Sequence, residues 1–211
     1  MYSVDELEDR LIDLAFAEDI GDGDHTTLCC IPADAMGKSH LLIKEDGILA
    51  GVEVAKRVFA RFDPTLEVEV LIGDGAKVKK GDVAMIVAGK VRSLLQTERL
   101  MLNIMQRMSG IATMTHKYVE RLKGTKTHVL DTRKTTPGMR ILEKQAVKIG
   151  GGMNHRIGLF DMILLKDNHV DFAGGIKNAI DRCHKYLEEK SLDLKIEIEV
   201  RNFSEIQQVL D

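Results

Sequence analysis

From Gly124 onward the chain alternates short apolar runs with helical patterns, and this alternation limits the fold more than any other feature. "THVLDT", "MILLKD" and "KIEIEV" read as strands. "MRILEKQAVKI", "AGGIKNAIDRCHKYLEE" and "SEIQQVL" follow them with helical spacing. Strand–helix units in succession predict a parallel sheet with right-handed crossovers. Polar residues gather where each strand ends: Thr132-Arg133-Lys134, then Lys166-Asp167-Asn168-His169, then Glu199 with Arg201-Asn202. Closed barrels and open doubly wound sheets both place their chemistry at such ends. Three units cannot close a barrel, and the sequence stops at Asp211 inside an uncapped helical pattern, which reads as a truncation.

The earlier part of the chain has a different rhythm. Ser3 and Glu6 have capping-box spacing, and Val4, Leu7, Leu11 and Leu14 recur at helical intervals, predicting a helix over about 4–17. "EDIGDGDHTT" (18–27) reads as a turn-bearing loop. Residues 38–91 read as short strands interrupted by one helix, "VEVAKRVFARF". Within them, "LEVEVLIGDGAKVKKGDVAMIVAGKV" resembles the half-barrel hammerhead of biotinyl and lipoyl modules, but no Asp-Lys-Ala or Met-Lys-Met tip is present, so a scaffold is expected. From Ser93 to about Leu122 runs a long apolar-periodic stretch. Gly110 interrupts it, predicting two helices or one broken helix. Its methionines (Met101, Met105, Met108, Met114) are read as core.

The formal net charge of -3 gives no global field for nucleic acid. Between Asp131 and His169, however, Arg133, Lys134, Arg140, Lys144, Lys148, Arg156 and Lys166 face only Asp131, Glu143, Asp161 and Asp167. A basic island in a mildly acidic protein suggests a small anionic ligand. Cys29, Cys30 and Cys183 show neither CxxC nor zinc spacing, and idle thiols in a reducing cytoplasm are expected. No basic-then-apolar leader and no apolar run of membrane length is seen, so a soluble protein is expected.

"DTRKTTPGMR" (131–140) carries the sharpest signal. Arginine offers a rigid fork suited to carboxylate or phosphate, and lysine a compact point charge. On a strand end Arg133 and Lys134 would point to opposite sides, each toward a different anionic group. Thr132, Thr135 and Thr136 add hydroxyls able to reach phosphate oxygens. Alone, this motif could equally be a solvated loop. "GGGMNHRIGLFD" (150–161) strengthens it, since three glycines let backbone approach a ligand or free a loop to move, and His155-Arg156 follow. Lys166 would project from a strand end, against the alternative of a snorkelling surface lysine. Glu197 and Glu199 share one strand face; beside a bound phosphate they suggest Mg²⁺, though an exposed face explains them as well. Arg99 sits oddly on a helix otherwise built for core. Gly174-Gly175 is a weak phosphate signal, and the remaining histidines default to structure.

Taken in order, "EDIGDGDHTT", "TERLMLNIMQRMSGIAT", "DTRKTTPGMR", "GGGMNHRIGLFD", "LLKDNH" and "IEIEV" resemble the quinolinate phosphoribosyltransferase family. The resemblance implies an N-terminal α/β domain over 1–110, hammerhead-like with helices, followed by a partial parallel α/β barrel over 111–211. It implies a dimeric enzyme that joins quinolinate to phosphoribosyl pyrophosphate with Mg²⁺, releasing nicotinate mononucleotide, pyrophosphate and carbon dioxide. Carried over residue by residue, Arg133, His155, Arg156 and Lys166 would bind quinolinate's carboxylates, and Arg99 would enter the neighbouring subunit's site. Lys134 would face phosphoribosyl pyrophosphate. Glu199 would hold the magnesium, with Glu197 the weaker choice; Lys134, Lys166 and Glu199 would be the catalytic set. Family members continue past Asp211 with further barrel strands, another magnesium-associated Asp and 5′-phosphate loops, so weak or no turnover is expected of residues 1–211. Rival readings are a same-fold paralogue acting on another base, a Schiff-base aldolase using Lys166, and a non-catalytic anion-binding or carrier protein.

Overall fold

A computed structural model describes residues 2–210. The chain forms two compact units, Met1–His155 and Arg156–Asp211.

The first unit opens with α1 (Val4–Ile20). Its capping box forms as its spacing predicts: the Glu6 N–H donates to Ser3 Oγ at 3.1 Å and the Ser3 N–H to the Glu6 carboxylate at 2.6 Å. The apolar series that suggested this helix is not its inner face. Val4, Leu7 and Leu14 are exposed, and Glu8 and Ile12 are buried instead. Charge sets the rotation: Arg57 reaches Asp5, Glu8 and Asp9, and Arg61 reaches Asp13 at 2.5 Å. Arg57's hydrogen bond holds the Asp9 carboxyl below its ordinary range.

The loop expected at 18–27 shrinks to residues 21–24, because α1 runs on to Ile20 and Asp24, accepting the Thr27 N–H at 3.0 Å, caps a short helix, α2 (His25–Cys30). Then come β1 (Met36–Leu42), β2 (Gly47–Ile48), α3 (Val52–Phe62), β3 (Glu67–Val70), β4 (Lys77–Val78) and β5 (Val83–Lys90). The strands make an antiparallel sheet of order β1-β5-β3 and a separate β2-β4 ribbon. Gly51, at φ +98°, precedes α3 and has no side chain to cap it. Asp74 takes that role from a distance, accepting the Val52 N–H at 2.9 Å.

One helix, α4 (Val91–Arg121), spans the stretch where Gly110 predicted a break. A glycine weakens a helix by only about 1 kcal/mol, and burial outweighs that. Leu94, Thr97, Met101, Ile104, Met105, Met108, Ala112 and Thr115 form one continuous buried stripe against the core of α3 and β5. Met114 falls off the stripe and is exposed, so only three of the four methionines read as core pack there.

The expected strand "THVLDT" is not a strand. Only Leu130 forms a bridge, parallel, to Met153; from Asp131 on, side-chain bonds to Lys144 and the His155 N–H hold the chain in place of a backbone ladder. The segment is tied by the Met153 N–H to Val129 O (2.8 Å) and the Asp131 N–H to Met153 O (3.2 Å). Helix α5 (Arg140–Ile149) then packs along α4 and completes this unit.

The second unit holds β6 (Ile163–Leu165), α6 (Asp167–Ala173), α7 (Ile176–Lys190), β7 (Ile196–Ile198) and α8 (Phe203–Leu210). Strands β6 and β7 pair in parallel with Ile163 opposite Ile196 and Leu165 opposite Ile198. The predicted three-stranded parallel sheet is therefore reduced to two paired strands here and one bridge in the other unit. Leu165, Val170, Ile176 and Ala179 form the local core. Helix α6 was not anticipated; Lys166 starts it, its N–H bonded to His169 Nδ1 at 2.9 Å. No helix among the described residues is long and apolar enough to cross a membrane.

Candidate active site

In the first unit, two adjacent residues of α5 clamp the loop 131–136 at both ends. Lys144 is 3% exposed and ion-paired to Asp131, whose side chain is 7% exposed. The same ammonium donates to the His155 carbonyl at 3.1 Å, and the His155 N–H donates to Asp131 Oδ1 at 2.9 Å. With its amide nitrogen turned toward them, Asn154 donates to Lys144 O (2.9 Å) and Asp131 Oδ2 (2.8 Å). At the other end, buried Glu143 accepts Arg107 Nη2 at 2.7 Å and the Thr136 N–H at 3.4 Å.

The loop held this way presents Arg133 half-buried and Lys134 exposed. The alternation expected of a strand end survives without the strand. Arg133 Nε is buried and finds no hydrogen-bond partner among the described residues. The Lys134 N–H donates to Thr132 Oγ1 at 3.1 Å. Thr135 Oγ1 accepts from Arg140 and Thr136 Oγ1 from Arg107, each at 3.1 Å. The three hydroxyls offered by the sequence to phosphate thus serve first to order the loop.

Packing accounts for the glycine run. A Cβ on Gly150 would lie 2.4 Å from the Ala112 carbonyl oxygen, and one on Gly152 would lie 2.8 Å from Val147 Cγ1. Gly151 has φ +92°. These three residues bring the chain tight against α4 and α5 and so place His155 beside Asp131. Arg99 lies on α4, exposed, and its guanidinium makes no hydrogen bond or ion pair among the described residues.

In the second unit, Arg156 is buried and donates to the Met162 carbonyl at 3.3 Å. Asp161 closes the loop beneath it by accepting the N–H groups of Ile157 (2.7 Å) and Gly158 (2.8 Å). Lys166 follows β6 and Glu199 follows β7; the Glu199 N–H bonds to Leu165 O at 2.9 Å. Their side chains meet, Lys166 Nζ to Glu199 Oε1 at 2.9 Å, with both about half exposed. Glu197 and Glu199 are exposed while Ile196, Ile198 and Val200 are partly buried, so the two acids share a face as their spacing predicts. Arg201 is engaged elsewhere, by Glu205 at 2.8 Å and Asp171 at 3.2 Å, and those pairs raise its already high pKa, Glu205 most.

No group of three or more His, Cys, Asp or Glu able to cage a metal occurs among the described residues. A single exposed carboxylate such as Glu199 does suit Mg²⁺, which keeps its waters and is commonly held by one or two carboxylates plus substrate phosphates. A cavity of about 520 Å³ in the first unit lies against α1 and α3; Asp5, Glu8 and Glu53 line it with Lys56 and Arg57, and none of the sequence-predicted site residues does. Sequence reasoning passed over Lys144 and Glu143 as site residues. The available signal was two charged residues adjacent to Leu142 on the inward face of an amphipathic helix.

The description "Quinolinate phosphoribosyl transferase, C-terminal domain" matches residues 111–211, and the corresponding N-terminal domain matches residues 24–109. The chain is 47% identical over 202 residues to "Quinolinate phosphoribosyltransferase [decarboxylating] 1b" of Nicotiana tabacum, covering 95% of this chain and 57% of that protein. It is 46% identical over 202 residues to the chloroplastic "Nicotinate-nucleotide pyrophosphorylase [carboxylating]" of Arabidopsis thaliana, covering 95% and 58%. The crystal structure of NadC from Streptococcus pyogenes superposes with a TM-score of 0.90 at 38% identity, covering 99% of this chain and 73% of that one. The chain thus spans just over half the length of the curated relatives it matches.

Proposed function

Because the chain belongs to the quinolinate phosphoribosyltransferase family, we propose that it serves phosphoribosyl transfer from phosphoribosyl pyrophosphate to quinolinate with decarboxylation, giving nicotinate mononucleotide, pyrophosphate and carbon dioxide for NAD biosynthesis. The observation that carries this reading is the loop 131–136. Its one carboxylate, Asp131, is consumed by Lys144, while Arg133 and Lys134 take no carboxylate among the described residues. Two neighbouring cations kept clear of internal partners suit a ligand with separate anionic groups.

In this reading Arg133 and His155 recognise quinolinate carboxylate, as do Arg156 and Lys166. The Arg133 fork suits a carboxylate and would fix the ring so that its nitrogen faces the sugar's anomeric carbon. Lys134 offsets the charge that develops on the departing pyrophosphate. Once the ring nitrogen is quaternised, the ring carbon next to it can carry the electron pair left by carbon dioxide, and the cationic side chains keep the remaining carboxylate in place. No protein nucleophile takes part. Glu199 is the residue to hold Mg²⁺, which when bound screens the phosphates of the donor. A Schiff-base role for Lys166 is disfavoured by its exposed ion pair with Glu199, since amine catalysis uses a desolvated lysine or one beside another cation.

Arg99, exposed on α4, is assigned to the site of a second copy in a homodimer. The protein is assigned to a reducing cytoplasm on the strength of its free Cys29, Cys30 and Cys183. The deciding assay is release of labelled carbon dioxide from carboxyl-labelled quinolinate. Release that requires both phosphoribosyl pyrophosphate and Mg²⁺ supports the reading. A protein that neither releases carbon dioxide nor binds quinolinate overturns it for this chain.

A further inference from the structure

We propose that Lys144 is a positioning residue for anion recognition, acting through Asp131 and His155; the proposal rests on the function assigned above. Its ammonium lies on the inward face of α5, 3% exposed, where an unpaired charge would be strongly disfavoured. It is satisfied by two groups only a few residues from the recognition cations: the Asp131 carboxylate and, at 3.1 Å, the His155 carbonyl oxygen. Asp131 in turn accepts the His155 N–H at 2.9 Å, so one ion pair ties together the two segments that carry Arg133 and His155.

Stability alone does not explain the arrangement. A buried ion pair is often no better for stability than apolar side chains of the same volume. The placement explains it better. Asp131 stands two residues before Arg133 and three before Lys134, and a carboxylate there would compete with any anionic ligand for both. Lys144 occupies that carboxylate, with Asn154 donating to its other oxygen at 2.8 Å. Arg133 correspondingly keeps a buried Nε without a partner among the described residues. Lys144 thus does two things: it removes the local competitor, and it holds the backbone of His155 in register with the loop.

The test uses the whole chain, with Lys144→Met and the double variant Asp131→Asn/Lys144→Met, in which the competing charge is also removed. Hydrogen exchange reads the protein without ligand, and calorimetric titration with quinolinate reads recognition. In Lys144→Met, exchange at residues 131–134 and 152–155 rises about tenfold while α4 stays protected. Quinolinate affinity falls about tenfold or more, and the double variant recovers most of that loss. Affinity that recovers in the double variant while exchange at 152–155 stays raised assigns the loss to the freed Asp131 carboxylate; a merely structural lysine would restore affinity and protection together. Equal losses in both variants, unchanged affinity and exchange in Lys144→Met, or loss of α4 protection in both variants would each overturn the proposal. If the parent itself fails to bind quinolinate, the functional reading fails, and local exchange in Lys144→Met alone decides whether Lys144 orders these segments.

Discussion

Two ion pairs, one in each unit, are held in opposite ways. Around the loop 131–136 the ion pair is buried, with Lys144 and Asp131 side chains 3% and 7% exposed. At the ends of β6 and β7 it lies at the surface, with Lys166 and Glu199 47% and 52% exposed. Buried charges cannot rearrange without losing their compensation, so the first arrangement fixes geometry before any ligand arrives. Exposed charges exchange partners with water and salt at little cost, so the second can be reorganised by an incoming phosphate or metal. One region is preorganised and the other adaptable.

Breaking the buried pair gives the largest effect. Lys144→Ala strands the Asp131 charge and lowers unfolding free energy by about 3–5 kcal/mol, read by urea denaturation; a loss below about 1 kcal/mol would remove the contrast between the regions. Gly150→Ala comes next. Its new Cβ would meet the Ala112 carbonyl at 2.4 Å, and displacement of α5 from α4 lowers stability by about 1–3 kcal/mol.

Asp63 sharpens the comparison as an intermediate case, since it is half-buried. The Ser93 hydroxyl (2.6 Å), and then Thr65, hold its carboxyl down at about 2. A depressed carboxyl stabilises the fold above its ordinary value and loses that contribution as pH falls toward the folded value. Discounted for solvent screening, on the order of 1 kcal/mol disappears between about pH 4 and pH 2. Unfolding curves of the parent and Asp63→Asn should therefore converge at the acid end. The smallest effect belongs to Lys166→Gln, which changes stability by less than about 1 kcal/mol, and less still in high salt. A larger, salt-insensitive loss would mean that the strand-end pair is not adaptable.

What the sequence disclosed follows the range of each interaction. The Ser3–Glu6 cap, the span of α3 and the helix after Gly175 depend on neighbours a few residues apart, and all were legible. The face of α1 was not, because Arg57 and Arg61, about fifty positions away, rotate it toward Glu8 and Ile12. Nor was the unbroken course of α4 through Gly110, where a buried stripe outweighs local propensity. In the site, Arg133, Lys134 and His155 stood out by residue type and clustering. The Gly150–Gly152 run was visible, but its cause was not, since the atoms it accommodates belong to Ala112, Thr115 and Val147. Lys144 stayed hidden for the same reason: its partners, Asp131 and His155, come together only when α5 folds back on the loop.

The most direct test of the central claim is calorimetric titration of quinolinate into this chain, run beside Arg133→Ala. The account predicts saturable binding by the parent, weakened about tenfold to a hundredfold or more in the variant, as expected for loss of a charged hydrogen-bond donor. Equal binding by both proteins would contradict it, because the loop 131–136 would then not be where the dicarboxylate is recognised.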